Sequence, residues 1–247
     1  RRQARLRMLS LRLGGLALGK AGQNEIKKVT AVTESRQRGV RWTIFGVVVF
    51  MALVVASFIH RVGEPRIMSL AETRANGLFL FDTPRDAGDF ALIDHRGASF
   101  TRDNLVGQWT LIFFGFTHCP DICPTTLAEL AQLKAQLADT EADATRVVML
   151  SVDPARDTPE RLAQYVPYFH PDFAGVTGEF PEILSVAQRL NAPFRKVSEP
   201  DGSYQMEHSA NVILMNPRGD YHGFFRAPLD IPKMRVTLRS TQYLWEH

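Results

Sequence analysis

The 247-residue chain has two cysteines, Cys119 and Cys123, set four residues apart in His118-Cys119-Pro120-Asp121-Ile122-Cys123-Pro124. A structural disulfide framework uses more cysteines at longer separations, whereas a close pair suits redox chemistry or metal binding. Thiolates are soft donors that favour Cu(I) or zinc. With three residues between them, both sulfurs can converge on one ion if the loop folds back. The same pair can form a reversible disulfide, although two intervening residues is the usual redox spacing. Two buried apolar cysteines are the plain structural alternative, and the flanking prolines and aspartate argue against it.

A copper site needs more than two sulfurs. His208, in Gln205-Met206-Glu207-His208-Ser209, is the candidate third ligand, directly ahead of an apolar run at 211–216. Thiolate plus imidazole is a familiar copper donor set; on spacing alone a surface histidine is the competing reading. His118 adjoins Cys119, so its side chain should point away from its neighbour's and count as supporting or structural. Met206 gives no reason to prefer it as a ligand over a core residue. His60, His95, His170, His222 and His247 receive no role, and His222 is expected to face solvent from a short strand. Asp153 ends an apolar run and precedes Pro154. Strand ends of this kind face the site in open α/β folds, so Asp153 is expected to orient a ligand from the second layer, with a turn or helix-capping role as the alternative. Asp121, between the cysteines, could contact a partner or tune the site electrostatically.

These residues need elements to hold them. Residues 109–116, WTLIFFGF, form a continuous apolar run that suits a strand buried on both faces. Leu127, Leu130, Leu133 and Leu137 then recur at helical spacing. The cysteine loop therefore falls at a strand-to-helix junction, with Cys123 expected at the helix N-cap and Pro124 at the first helical position. Free backbone N–H groups and the helix dipole favour a thiolate there. FALID, HRGA and SFT read as a hairpin turning at Gly97. Residues 146–152 read as a second buried strand, and Asp157-Thr158-Pro159 as the start of a helix reaching about 169. A helix over 180–190, strands at 211–216 and 221–226, and a closing helix over 230–243 complete an α/β fold around a mixed sheet.

Residues 42–59, WTIFGVVVFMALVVASFI, carry no charge. At about 1.5 Å per residue they span about 27 Å, close to a hydrocarbon core. Residues 1–41 hold 11 of the 29 Lys/Arg and 2 of the 26 Asp/Glu, leaving 18 basic and 24 acidic residues elsewhere. The basic charge thus belongs to the N-terminal segment and not to a folded surface, which argues against nucleic-acid binding. Positive-inside places residues 1–41 in the cytoplasm and 60–247 outside. A cleaved signal peptide is the competing reading of the apolar run, and an Arg-rich mitochondrial transit peptide that of the first twenty residues. The expected divisions are a basic tail at 1–41, a transmembrane helix at 42–59, a linker at 60–88 and a metal-binding domain at 89–247.

Three collinear segments, GQWTLIFFGFTHCPDICPTTLAEL, SVDPARDTPERLAQY and EHSANVILMNPRGDY, resemble the Sco/SenC family of copper chaperones for cytochrome c oxidase. The resemblance covers roughly 88–245. It implies a thioredoxin-like fold with an added hairpin and a single N-terminal transmembrane helix. It also implies one copper ion, Cu(I) or Cu(II), on Cys119, Cys123 and His208. The implied acceptor is the binuclear copper site of oxidase subunit II, outside the bacterial inner membrane, with the mitochondrial inner membrane as the alternative and an upstream copper donor as a possible further partner. Such a chaperone is a binding module, not an enzyme. The competing function is a thiol–disulfide reductase that keeps the acceptor's cysteines reduced with Cys119 and Cys123 as its redox pair and no need of His208. A thiol peroxidase, suggested by Thr117 near Cys119, would not need the second cysteine.

Overall fold

A computed structural model describes residues 20–63, 66–138 and 140–246. The chain divides into two units, one ending at Glu64 and one beginning at Pro65.

The first unit is a single helix, α1 (Lys20–Gly63). Its stretch Gly39–Ile59 is long and apolar enough to cross a membrane, and none of it is buried against protein. The helix continues upstream of that stretch to Lys20, so much of the expected tail is helical; the part before residue 20 lies outside the described residues.

The second unit is built on an eight-stranded sheet with the strand order β1-β10-β9-β4-β5-β6-β2-β3. The strands are β1 (Leu78–Asp86), β2 (Ala91–Asp94), β3 (Ser99–Thr101), β4 (Thr110–Gly115), β5 (Arg146–Ser151), β6 (Ala174–Thr177), β9 (Val212–Met215) and β10 (Asp220–Phe225). Strands β4, β5 and β6 run parallel, and the others join antiparallel, which makes the sheet mixed. Every residue of β4 is buried, as a strand covered on both faces requires. The remaining two strands, β7 (Phe194–Ser198) and β8 (Tyr204–His208), form a separate antiparallel hairpin. The helices are α2 (Leu70–Ala75), α3 (Ile122–Leu137), α4 (Pro159–Tyr165), α5 (Phe180–Arg189) and α6 (Ile231–Glu246). Helix α3 buries Cys123, Leu127, Leu130, Leu133 and Leu137 along one stripe. Helix α4 starts as its sequence predicts, with the Thr158 side chain accepting from the Arg161 N–H and Pro159 in the first turn.

Residues 60–88, expected as a linker, contain α2 and β1. A capping box between Ser69 and Glu72 starts α2. Strand β1 pairs with β10, buries Leu78 completely and stacks Phe79 on Phe224 at 5.3 Å. Its sequence hides the strand because Pro84 and a register shift between Leu80 and Arg85 break the alternation. Both are tolerated because β1 is a sheet edge.

Candidate metal centre

The cysteine loop leaves the end of β4 and enters α3. The structure places the N-cap at Asp121, not at Cys123, so the helix begins two residues earlier than Pro124 suggested. Cys123 therefore lies inside the first turn, where backbone N–H groups have no intrahelical acceptor. Its N–H donates to Cys119 Sγ at 3.4 Å. Sulfur at this position gains both a donor and the positive end of the helix dipole. Cys119 is partly exposed, whereas Cys123 is fully buried. Burial pushes the Cys123 thiol up, so without a metal it holds its proton at neutral pH. Asp121 is exposed and its side chain makes no capping bond.

His208 is the last residue of β8. Its Nε2 lies 3.4 Å from Cys123 Sγ and its Nδ1 lies 3.0 Å from the Ser209 carbonyl. With Nδ1–H donating to that carbonyl, the Nε2 lone pair is left facing the cysteines, as a metal-ligating imidazole requires. Phe113 and Phe116 meet the ring in T-shaped contacts, with centroids at 5.7 and 5.9 Å. Burial in this aromatic wall lowers the His208 pKa and keeps the ring neutral.

The two sulfurs and one imidazole nitrogen all lie within 4.8 Å of one another. Donors about 2.0–2.3 Å from a shared ion stand roughly 3.5–4 Å apart. Small side-chain movements would close the group on one ion. Two soft sulfurs and one nitrogen suit Cu(I) or zinc and do not suit a hard, oxygen-seeking cation.

The other candidates fall at varying distances from this group. Asp153 is buried, but its carboxylate takes the Tyr204 hydroxyl at 2.9 Å and the Arg156 guanidinium. It reaches the site through the strand that carries His208. Met206 is a core residue, 6% exposed. The exposed His118 places Nδ1 3.1 Å from Thr117 Oγ1. His222 does not face solvent. Its ring sits between Trp109 and Trp245, with centroids at 5.1 and 5.4 Å, because the short strand β10 turns that face toward α6.

Sequence reasoning missed Asp157. Fully buried, it accepts from the Thr117 N–H at 3.0 Å, the Thr117 hydroxyl at 2.7 Å and the Ser151 hydroxyl at 2.6 Å. It pins the start of the cysteine loop to the end of β5. Asp-Thr-Pro reads as a helix start, and Thr158 indeed caps, which frees the preceding Asp157 to turn inward.

The sequence profile described as SCO1/SenC matches residues 82–242. A Stutzerimonas stutzeri protein named for copper binding is 38% identical over 167 residues, covering 67% of this chain and 80% of that protein. The Arabidopsis thaliana mitochondrial protein named SCO1 homolog 1 is 39% identical over 147 residues, covering 60% of this chain but 44% of that protein. Among solved structures, Arabidopsis thaliana ScoI with copper bound superposes with a TM-score of 0.59 at 38% identity, over 63% of this chain and 98% of that structure. With the profile spanning both cysteines, the Asp153–Asp157 segment and His208, the chain belongs to the SCO1/SenC family.

Proposed function

We propose that the protein binds one copper ion through Cys119, Cys123 and His208 and hands it to the binuclear copper site of cytochrome c oxidase subunit II. The observation that carries the reading is the convergence of the three donor atoms within 4.8 Å. The copper-bound relative of the same fold supports the choice of metal. Delivery proceeds by ligand exchange, in which thiolates of the acceptor replace those of the donor one at a time. Cys119 is the natural point of first exchange, because it is partly exposed while Cys123 is buried behind it. An upstream copper donor would load the same edge. The transmembrane stretch holds donor and acceptor in one membrane and raises their effective concentration. The basic N-terminal flank supports a cytoplasmic N-terminus with residues 60–247 in the bacterial periplasm; the mitochondrial relatives support the alternative, an inner-membrane anchor with the domain facing the intermembrane space.

The half-exposed and buried pair is also the arrangement of a dithiol reductase, with Cys119 attacking and Cys123 resolving. Anaerobic copper titration of the reduced full chain in detergent separates the two. One copper per chain is expected, with thiolate-to-copper charge transfer in the Cu(II) form. The copper should be lost in Cys119→Ala and Cys123→Ala and held about tenfold or more weakly in His208→Ala. Because binding must displace the Cys123 proton, affinity should also fall as pH drops. No tight binding by the reduced wild type would leave the reductase as the function.

A further inference from the structure

His208 is carried on a hairpin that shares no backbone ladder with the eight-stranded sheet. Alternate residues of a strand face the same side, so Tyr204, Met206 and His208 all point from β8 toward the body of the domain. Met206 is buried in the core and His208 meets Phe113 and Phe116. Tyr204, at the far end of the strand, is about 13 Å from His208 along it at ~3.3 Å per residue.

Tyr204 is held by several groups at once. Its hydroxyl donates to Asp153 at 2.9 Å. The Arg156 guanidinium lies 3.8 Å from its ring centroid and donates to its backbone carbonyl at 3.3 Å. The same guanidinium pairs with Asp153 and lies 5.7 Å from the Phe116 ring, one of the two walls of the His208 pocket. Lys196, from β7, sits 3.7 Å from the Tyr204 centroid. Asp153 and Arg156 follow β5, so this cluster fastens the hairpin to the part of the fold that also carries the cysteine loop through Asp157. On the other strand, Phe194 meets Phe180 of α5 at 5.9 Å.

We infer that Asp153, Arg156 and Tyr204 form a latch whose closure sets His208 against Cys119 and Cys123, so that they are positioning residues for metal retention and release. The inference rests on His208 being a copper ligand. An open latch lets β8 lift, withdraws the imidazole and leaves copper on two thiolates, the state from which an acceptor can take it. A charge-assisted hydrogen bond is among the stronger single contacts available. Tyr204→Phe removes it while keeping the ring that Arg156 and Lys196 cover.

The test is a double-mutant cycle on the copper-loaded full chain, reading the rate at which a chelator removes Cu(I). Tyr204→Phe is expected to speed removal about five- to tenfold with the stoichiometry still at one. In a His208→Ala background the same substitution should change the rate less than twofold, because no imidazole remains to be positioned. Equal acceleration in both backgrounds, or none in the wild type, overturns the latch. Hydrogen exchange on the copper-free chain tests it without metal. Tyr204→Phe should speed exchange at 194–208 and leave β4 and β5 unchanged, and uniform or absent change overturns it. If the wild type binds no copper, or His208→Ala releases copper at the wild-type rate, the ligand assignment fails, and the exchange experiment still decides whether the latch holds the hairpin.

Discussion

At the residue scale, His222 shows how burial sets a protonation state. It sits between two tryptophans, and its pKa is lowered to about 4, chiefly by desolvation and secondarily by the nearby Arg218. Its Nδ1 is buried without a hydrogen-bond partner among the described residues. The ordinary value is about 6.5, so between the two the unfolded chain takes up a proton that the folded chain refuses. The neutral ring's contribution is therefore fully present above about pH 6.5 and is lost as pH falls toward 4, to the extent of about 2–3 kcal/mol. Urea unfolding at pH 7 and pH 4.5 should show a smaller loss of stability in His222→Phe than in the wild type, by about 2 kcal/mol. Parallel losses in the two proteins would mean that the ring is hydrated in the folded state. The sequence placed His222 on a short strand and turned it toward solvent, which the structure overturns, because alternation alone does not say which helix covers which face. The two cysteines were legible for the opposite reason, since their rarity and spacing are local facts. His208 was a candidate only in company; nothing within five residues of it distinguishes a ligand from a surface histidine.

At the element scale, the site depends on how closely α3 approaches β4. Gly115 ends β4, and a Cβ there would come within 2.8 Å of a Phe113 ring carbon and 3.2 Å of Cys123 Sγ. Absence of a side chain at this one position lets the buried sulfur lie against the strand. Gly115→Ala should displace Cys123 or the Phe113 ring that packs on His208. Overpacking of this kind destabilises by about 1–3 kcal/mol. Copper affinity should fall at least tenfold, measured by competition with a chelator, and urea unfolding should report the stability loss. Full retention of affinity would show that the helix can slide without moving the sulfur. Strands β4 and β5 and helices α3 and α5 could be read from apolar runs and helical spacing, because their burial follows one regular period. Strand β1, with its proline and register shift, and the charged hairpin of β7 and β8 could not. Burial in β1 and β7 does not alternate, and of the inward-facing Tyr204, Met206 and His208 of β8 only Met206 is buried, so none of the three shows a clean apolar period in the sequence.

At the scale of the whole molecule, the chain joins one apolar helix to one folded unit. The expected orientation has the basic flank inside and the metal centre outside. Because Cys119 is partly exposed and Cys123 is buried, a membrane-impermeant thiol reagent reports the side directly. In spheroplasts of a bacterial host it should label Cys119 without lysis, and the chain should stay in the membrane pellet after alkaline extraction. Labelling only after lysis would reverse the topology, and release into the supernatant would remove the anchor.

By itself the sequence determined the apolar span, the strand-to-helix placement of the cysteine pair, the α/β class and, through three collinear segments, the family. All of these are encoded in short stretches, where hydrophobic period, charge and motif spacing act on neighbouring residues. Tertiary structure alone decided that His208 Nε2 faces Cys123 at 3.4 Å, that Asp157 and not Asp153 anchors the cysteine loop, and that Asp153 serves Tyr204 instead. Those relations join residues 40 to 85 positions apart in the chain. They arise only when the sheet brings the ends of β4 and β5 beside the hairpin, where buried polar groups must find partners that no local pattern specifies.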